Sequence, residues 1–210
     1  MDESTLQSLL ADRRFEDLAR EDDPLWRGLA LLELGRAADA AHAFEDAPDA
    51  AQSGPMLELA GAARWLAGER ETAAQRWIAA LDAAFDTPAG AARPPALLVY
   101  AGTRIPDPRY VHRGTRLLGK AWRPRVARQW PAPVAGYLLG KVDETDLLEE
   151  GYANPALESR RLASAHFWAG FLATDPGTAR RHFEAAVDAG GLALLEPEYH
   201  LARAELERVT

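Results

Sequence analysis

The sequence predicts an all-α protein, a stack of antiparallel helical hairpins. Three observations carry that reading. Landmarks recur at an offset of 33 residues: Gly28 to Gly61, Gly35 to Gly68, Ala40 to Ala73, Phe44 to Trp77 and Ala47 to Ala80. Gly35 and Gly68 each follow an apolar helical run and supply the left-handed backbone that ends a helix, with a second helix starting straight after. Val and Ile are scarce, alanine and arginine dominate, and no stretch alternates as a strand would. A lone hairpin cannot bury its own apolar face, which is why such units come stacked.

The elements follow in order. Residues 1–22 read as an N-terminal cap, a short pair striped by Leu6, Leu9 and Leu10, then Phe15, Leu18 and Ala19. Asp23-Pro24 is a good helix start, opening two hairpins over 23–85. Their helices fall near 24–34 and 36–46, then 55–67 and 69–84, with Ser53-Gly54-Pro55 as the break between them. Small residues at Gly28 and Ala40, and again at Gly61 and Ala73, are expected to pack against each other across each hairpin. Residues 86–154 read as an irregular helical insert. The register is lost at 86–96, which is expected to be an exposed connection rich in proline. A basic helix follows Pro106 and Pro108 to about Trp122. After Pro131 and Pro133 comes a helix through Tyr137 to Gly140, then a short one through Leu147 and Leu148. Residues 155–210 hold a third hairpin, near 156–173 and 176–189, and a closing helix near 196–208. Gly170, Ala179, Phe183 and Ala186 are its landmarks. Gly170 to Ala179 spans nine residues where the other copies span twelve, so its first helix is expected to be about three residues short. The whole, 1–210, reads as a single α-solenoid.

Gly28, Leu31, Gly35, Ala40, Phe44 and Ala47, with Gly61, Gly68, Ala73, Trp77 and Ala80, resemble the tetratricopeptide repeat. Arg27 and Arg64 stand where that family usually has large apolar residues, and no proline closes either unit. The run Trp130-Pro131-Ala132-Pro133, with Tyr137 to Lys141 and Asp146-Leu147-Leu148, is similar to bacterial tetratricopeptide lipoproteins of the NlpI type. So is the closing Glu198 to Leu206. Their membrane anchoring is not carried over, because this chain has no cysteine. The resemblance implies a right-handed superhelix of about 11–12 helices. It also implies a concave groove lined by the first helix of each hairpin. Here those residues are Leu25, Leu29, Leu32, Glu33, Glu58, Trp65, Phe167 and Phe171. Such a groove suits an apolar or basic helix or peptide of a partner protein, unless the 89–153 insert fills it.

Charge is the second informative feature. The net charge is −8. Residues 1–60 hold 14 acids and 5 bases, and 61–88 hold 4 and 3. Residues 89–141 hold 1 and 10, and 142–210 hold 13 and 6. A basic middle therefore lies between acidic ends. Arg109, Arg113, Arg116, Lys120 and Arg123 fall on one helical face. Two readings stand: a dock for an acidic partner or phosphate, or a solvated outer face neutralised by the chain's own acids. The negative total opposes nucleic acid as the partner. His166 and His182 are placed to face each other within the third hairpin, but no ligand set with metal spacing is present. Neither a phosphate loop nor a nucleophile elbow occurs, so no cofactor is implied. The acidic N-terminus lacks the pattern of a signal peptide, and a cytoplasmic location is expected.

Three functions follow from these features. The first is a non-catalytic adaptor binding a peptide or helix of another protein. The second is an immunity protein or dedicated chaperone that neutralises a basic client. The third is an enzyme with its site in the 89–153 insert, which a buried, mutually bonded polar cluster there would favour.

Overall fold

The computed structural model describes residues 8–10, 12–85, 87, 89–122 and 129–209. The described residues are helical and contain no β-strand. None of their helices is long and apolar enough to cross a membrane. The chain's contacts divide into two compact units, Met1–Ala83 and Ala84–Thr210.

The first unit holds α1 (Phe15–Leu18), α2 (Pro24–Glu33), α3 (Ala37–Glu45), α4 (Gly54–Leu66) and α5 (Arg70–Ala79). Asp23 caps α2 by accepting from the backbone N–H of Leu25 and Trp26, with Pro24 in the first turn. Gly35 and Gly68 take φ of +74° and +84°. Around them Arg36 N–H donates to the Leu31 carbonyl and Glu69 N–H to the Arg64 carbonyl, the long bonds of a Schellman ending. Consecutive helices pack on one another from α1 to α5. Phe44 and Trp77 are fully enclosed. Leu9, Leu18 and Ala30 form a smaller cluster beside Phe15 and Trp26.

An aromatic ring makes the closest approach to the glycine inside each hairpin. The atoms nearest a Cβ on Gly28 would be those of the Phe44 ring, and those nearest a Cβ on Gly61 the indole of Trp77. Helical side chains lean toward the N-terminus, so the aromatic one turn further on reaches back across the seam. The two helices of each hairpin are in contact, as the repeat requires.

The second unit holds α6 (Arg93–Arg104), α7 (Pro108–Ala121), α8 (Ala132–Leu138), α9 (Glu144–Tyr152), α10 (Glu158–Leu172), α11 (Pro176–Asp188) and α12 (Pro197–Val209). Helices α6 and α7 pair, α10 and α11 pair, and α12 packs on both of the latter. Tyr100, Phe167, Trp168 and Phe183 are its large enclosed side chains.

Two expectations are corrected here. Of the 86–96 connection, Asp86 and Pro88 lie outside the described residues, while Ala89, Ala92 and 94–96 are buried. Pro94 and Pro95 sit in the first turn of α6, where a missing N–H costs no helical bond, so they start a helix instead of breaking one. Nor is the first helix of the third hairpin short, since α10 runs for 15 residues. What is shortened is its end: α10 stops at Leu172, two residues past Gly170, whereas α2 and α4 stop five past Gly28 and Gly61. Asp175, capping α11 through Thr178 N–H, makes the turn without a left-handed glycine.

Candidate functional site

The residues expected to line a concave groove are mostly core. Leu29, Leu32, Glu58, Trp65 and Phe167 are buried, and Leu25, Glu33 and Phe171 are half-buried. Trp65, the expected anchor at 7% exposure, stacks on Trp77 with ring centroids 5.6 Å apart. Trp77 belongs to the second helix of the same hairpin. Arg70 lies over the Trp65 ring, its guanidinium carbon 5.6 Å from the centroid. Phe167 meets Tyr100 and Trp168 edge-on, and Arg104 covers Phe171. Apolar residues at helical spacing show that a face is covered, not by what. Here the hairpin's own second helix and its neighbours do the covering.

The basic face is as exposed as expected. Arg109, Arg113, Arg116 and Lys120 point away from the protein on α7; Arg123 lies outside the described residues. The opposite face is closed. Leu118 is enclosed, and a Cβ on Gly114 would run into the Pro95 carbonyl and Val99 of α6. Arg109 is ion-paired at 2.7 Å with Asp107, the cap of its own helix, and this pairing holds the Asp107 carboxyl below its ordinary range.

The second unit has an open cleft of about 510 Å³ between α7, α8 and α9. Trp122, Pro133 and Val142 form its apolar side, and Asp146, Glu149, Glu150 and Ala153 its other wall. Its construction is local. Trp122 follows the last residue of α7, and its ring lies on Gly136 of α8, where a Cβ would meet both Trp122 and Val142. Gly140, at φ +66°, ends α8 and turns the chain toward Val142. Asp143 caps α9 by accepting from Asp146 N–H at 2.9 Å. The four wall residues then fall at i, i+3, i+4 and i+7 on one face of α9. On the other face, Leu147 is enclosed and Gly151 admits Leu162 of α10. Asp146 and Glu149 are exposed and Glu150 half-buried. Tyr152, 56% exposed, stands on the same helix. The sequence singled out neither these acids nor Trp122 as a site. The i, i+3, i+4, i+7 spacing of helical neighbours was the available signal, but nothing local brings α9 opposite Trp122.

Buried polar groups form separate clusters. In the first unit Arg64 donates to Glu45 and Glu69, and Arg76 donates to Glu45 at 2.7 Å. Burial raises the Glu45 pKa, but the bonds and charges of Arg64 and Arg76 outweigh it and leave the carboxyl low. In the second unit Glu196 takes Arg93 at 2.6 Å and Arg160 at 2.5 Å. Glu198 accepts from Ser164 Oγ at 2.9 Å and Trp168 Nε1 at 3.1 Å. Burial pushes the Glu198 carboxyl up, with Arg93 opposing and Glu196 adding to the rise. Glu205 accepts from Tyr100 OH at 2.9 Å and is paired with Arg104 and Arg208; burial is again outweighed, and its pKa is lowered. These clusters tie α12 to α6 and α10. Arg93, Tyr100 and Arg104 come from the insert, but none of the three lines the cleft, and each acid is met by an arginine at salt-bridge geometry. They read as fasteners between helices.

The two histidines do face each other: His166 Nδ1 and His182 Nδ1 are 3.1 Å apart. Glu144 of α9 lies 3.3 Å from His182 Nε2. With Glu144 accepting from Nε2–H, the two Nδ1 atoms share one proton. Burial and the neighbouring His182 lower the His166 pKa. Among the described residues no group of three or more His, Asp or Glu side chains is placed to hold a metal ion.

No protein-family model matches the chain, and no curated protein matches it.

Proposed function

We propose that the chain is a non-catalytic adaptor, a tetratricopeptide-like superhelix of hairpins that binds another protein. The binding surface is the cleft between α7, α8 and α9. One observation carries the reading: an aromatic and aliphatic floor, Trp122, Pro133 and Val142, lies open beside a wall that carries Asp146, Glu149 and Glu150. Clefts with an apolar floor and a few polar groups at the edge are the usual places for a partner's side chains. Closely packed helices behind them hold the floor in place. The inner-face residues Trp65 and Phe167 serve stability in this reading, and the cytoplasm is the compartment it suits.

The test places a photocrosslinking amino acid at Ala153, in the cleft wall, and in a second protein at Leu192, an exposed apolar site elsewhere. Both are irradiated in extract from the source cell. The reading expects one discrete crosslinked species from Ala153 that Leu192 does not give. The same products from both sites, or none from Ala153, would contradict it.

A further inference from the structure

We propose that the cleft takes an amphipathic helical segment carrying lysine or arginine, presented by a partner protein. Its apolar side chains lie on Trp122, Pro133 and Val142, and its cations meet Asp146, Glu149 and Glu150. This rests on the cleft being the binding surface.

Three observations argue for that occupant. The first is charge. Elsewhere three buried or half-buried acids are met by the chain's own arginines: Glu45 by Arg64 and Arg76, Glu196 by Arg93 and Arg160, Glu205 by Arg104 and Arg208. No ion pair among the described residues reaches Asp146, Glu149 or Glu150. Three carboxylates within about 6 Å of helix axis, beside low-dielectric walls, repel one another and anything anionic. A cationic side chain relieves that repulsion. The second is size. At about 510 Å³ the cleft falls in the usual range of side-chain and ligand pockets, roughly 300–1,000 Å³, so it fits a few side chains of a segment. The third is the backbone. The acidic wall is a helix whose backbone N–H and C=O groups are largely used internally, and the described residues offer no sheet edge for an extended peptide to join. A segment bound here must satisfy its own backbone, which a helix does. Ala153, small and one turn beyond Glu149 and Glu150, leaves one end of the wall open for it.

The experiment uses the full chain and a labelled amphipathic peptide of roughly 18 residues, long enough to form a helix, with leucine on one face and lysine on the other. A second peptide carries glutamate in place of lysine. Fluorescence anisotropy should show saturable binding of the lysine peptide, weakened by added salt, and none of the glutamate peptide. Glu149→Lys with Glu150→Lys should weaken the lysine peptide at least about tenfold. The matched pair Asp188→Lys with Glu207→Lys, at exposed sites elsewhere, should change it less than about threefold. Equal losses in the two double variants would reduce the effect to net charge and overturn the proposal. A glutamate peptide that binds, and is lost in Ala153→Trp, would overturn the basic occupant but leave the cleft as the binding surface. If Ala153→Trp, which fills the wall, alters neither peptide, the cleft reading fails as well. A gain of about tenfold or more for the lysine peptide in Arg123→Ser/Arg125→Ser/Arg128→Ser would assign the cleft to the chain's own basic stretch. Mass that rises with protein concentration and collapses in Arg113→Glu/Arg116→Glu would assign it to a second copy. Either result overturns the partner segment.

Discussion

Glu196 and Glu198, two residues apart at the start of α12, carry opposite energetics. Glu196 holds the two guanidinium groups of Arg93 and Arg160. Glu196→Gln leaves both facing an amide, and the expected loss is about 3 kcal/mol in urea unfolding. Glu198 is fully enclosed and accepts from Ser164 and Trp168 through one oxygen. A glutamine oxygen can accept both bonds, so Glu198→Gln is expected to stay within about 1 kcal/mol of wild type at neutral pH. A larger loss for Glu198→Gln than for Glu196→Gln would contradict this division. His200 governs the acid limb. Its Nε2–H donates to the Leu194 carbonyl at 2.8 Å, and burial lowers its pKa to about 4. The unfolded chain takes up that proton near pH 6.5. Stability from this group is therefore full above pH 6.5 and is lost as pH falls toward 4, by about 1.4 kcal/mol per unit and roughly 3 kcal/mol in all. Glu198 acts in the opposite sense, its share present at low pH and lost as pH rises. His200→Gln keeps an N–H for Leu194 and should flatten unfolding free energy between pH 6.5 and 4; an unchanged slope would exclude His200 as its source. None of this was legible from spacing. Arg64 was conspicuous in the sequence as a charge where an apolar residue belongs. Its partners Glu45 and Glu69 lie 19 and 5 residues away, and only the folded hairpins bring them together.

At the scale of the element, the glycine–aromatic seam is the recurring device. Gly28 lies under Phe44, Gly61 under Trp77 and Gly170 under Phe183. Gly61→Ala puts a methyl 2.2 Å from the Trp77 ring nitrogen and should cost about 1–3 kcal/mol, or more if the indole cannot move. Gly68→Ala meets nothing within 4 Å but must hold φ near +84°, for about 1–2 kcal/mol. Thermal melts of the two variants separate packing from backbone strain; a negligible effect at Gly61 would remove the seam. The seam's existence was legible because identical landmarks recur 33 residues apart. That Phe44 and Trp77 would make the closest approach was not, because a helical wheel gives the face of a residue and not how far its side chain leans along the axis. The third hairpin shows the same limit. The nine-residue spacing from Gly170 to Ala179 was read as a short first helix; α10 is instead full length but ends three residues sooner after its glycine than α2 and α4 do.

At the scale of the molecule, the chain divides between Ala83 and Ala84, and Asp82, Ala84 and Thr87 are exposed. Thermolysin should cut first around Phe85, giving fragments that match 1–83 and 84–210; a first cut within 24–79 would contradict the division. The all-helical character, the basic middle and the exposed basic face were legible because each is a local pattern. The cleft was not, because its floor and wall come from Trp122, Val142 and Glu149 on separate elements whose approach depends on Gly136 and Gly140. The groove expected on Leu29, Trp65 and Phe167 shows the converse: helical periodicity identified covered faces but left the covering element undetermined. Amide hydrogen exchange of the full chain, with and without the lysine–leucine peptide, tests most directly whether binding occurs in the cleft. Protection should concentrate at Trp122 and over 142–153, with 24–79 unchanged; protection confined to the hairpins of 24–79, or absent at saturating peptide, would contradict it.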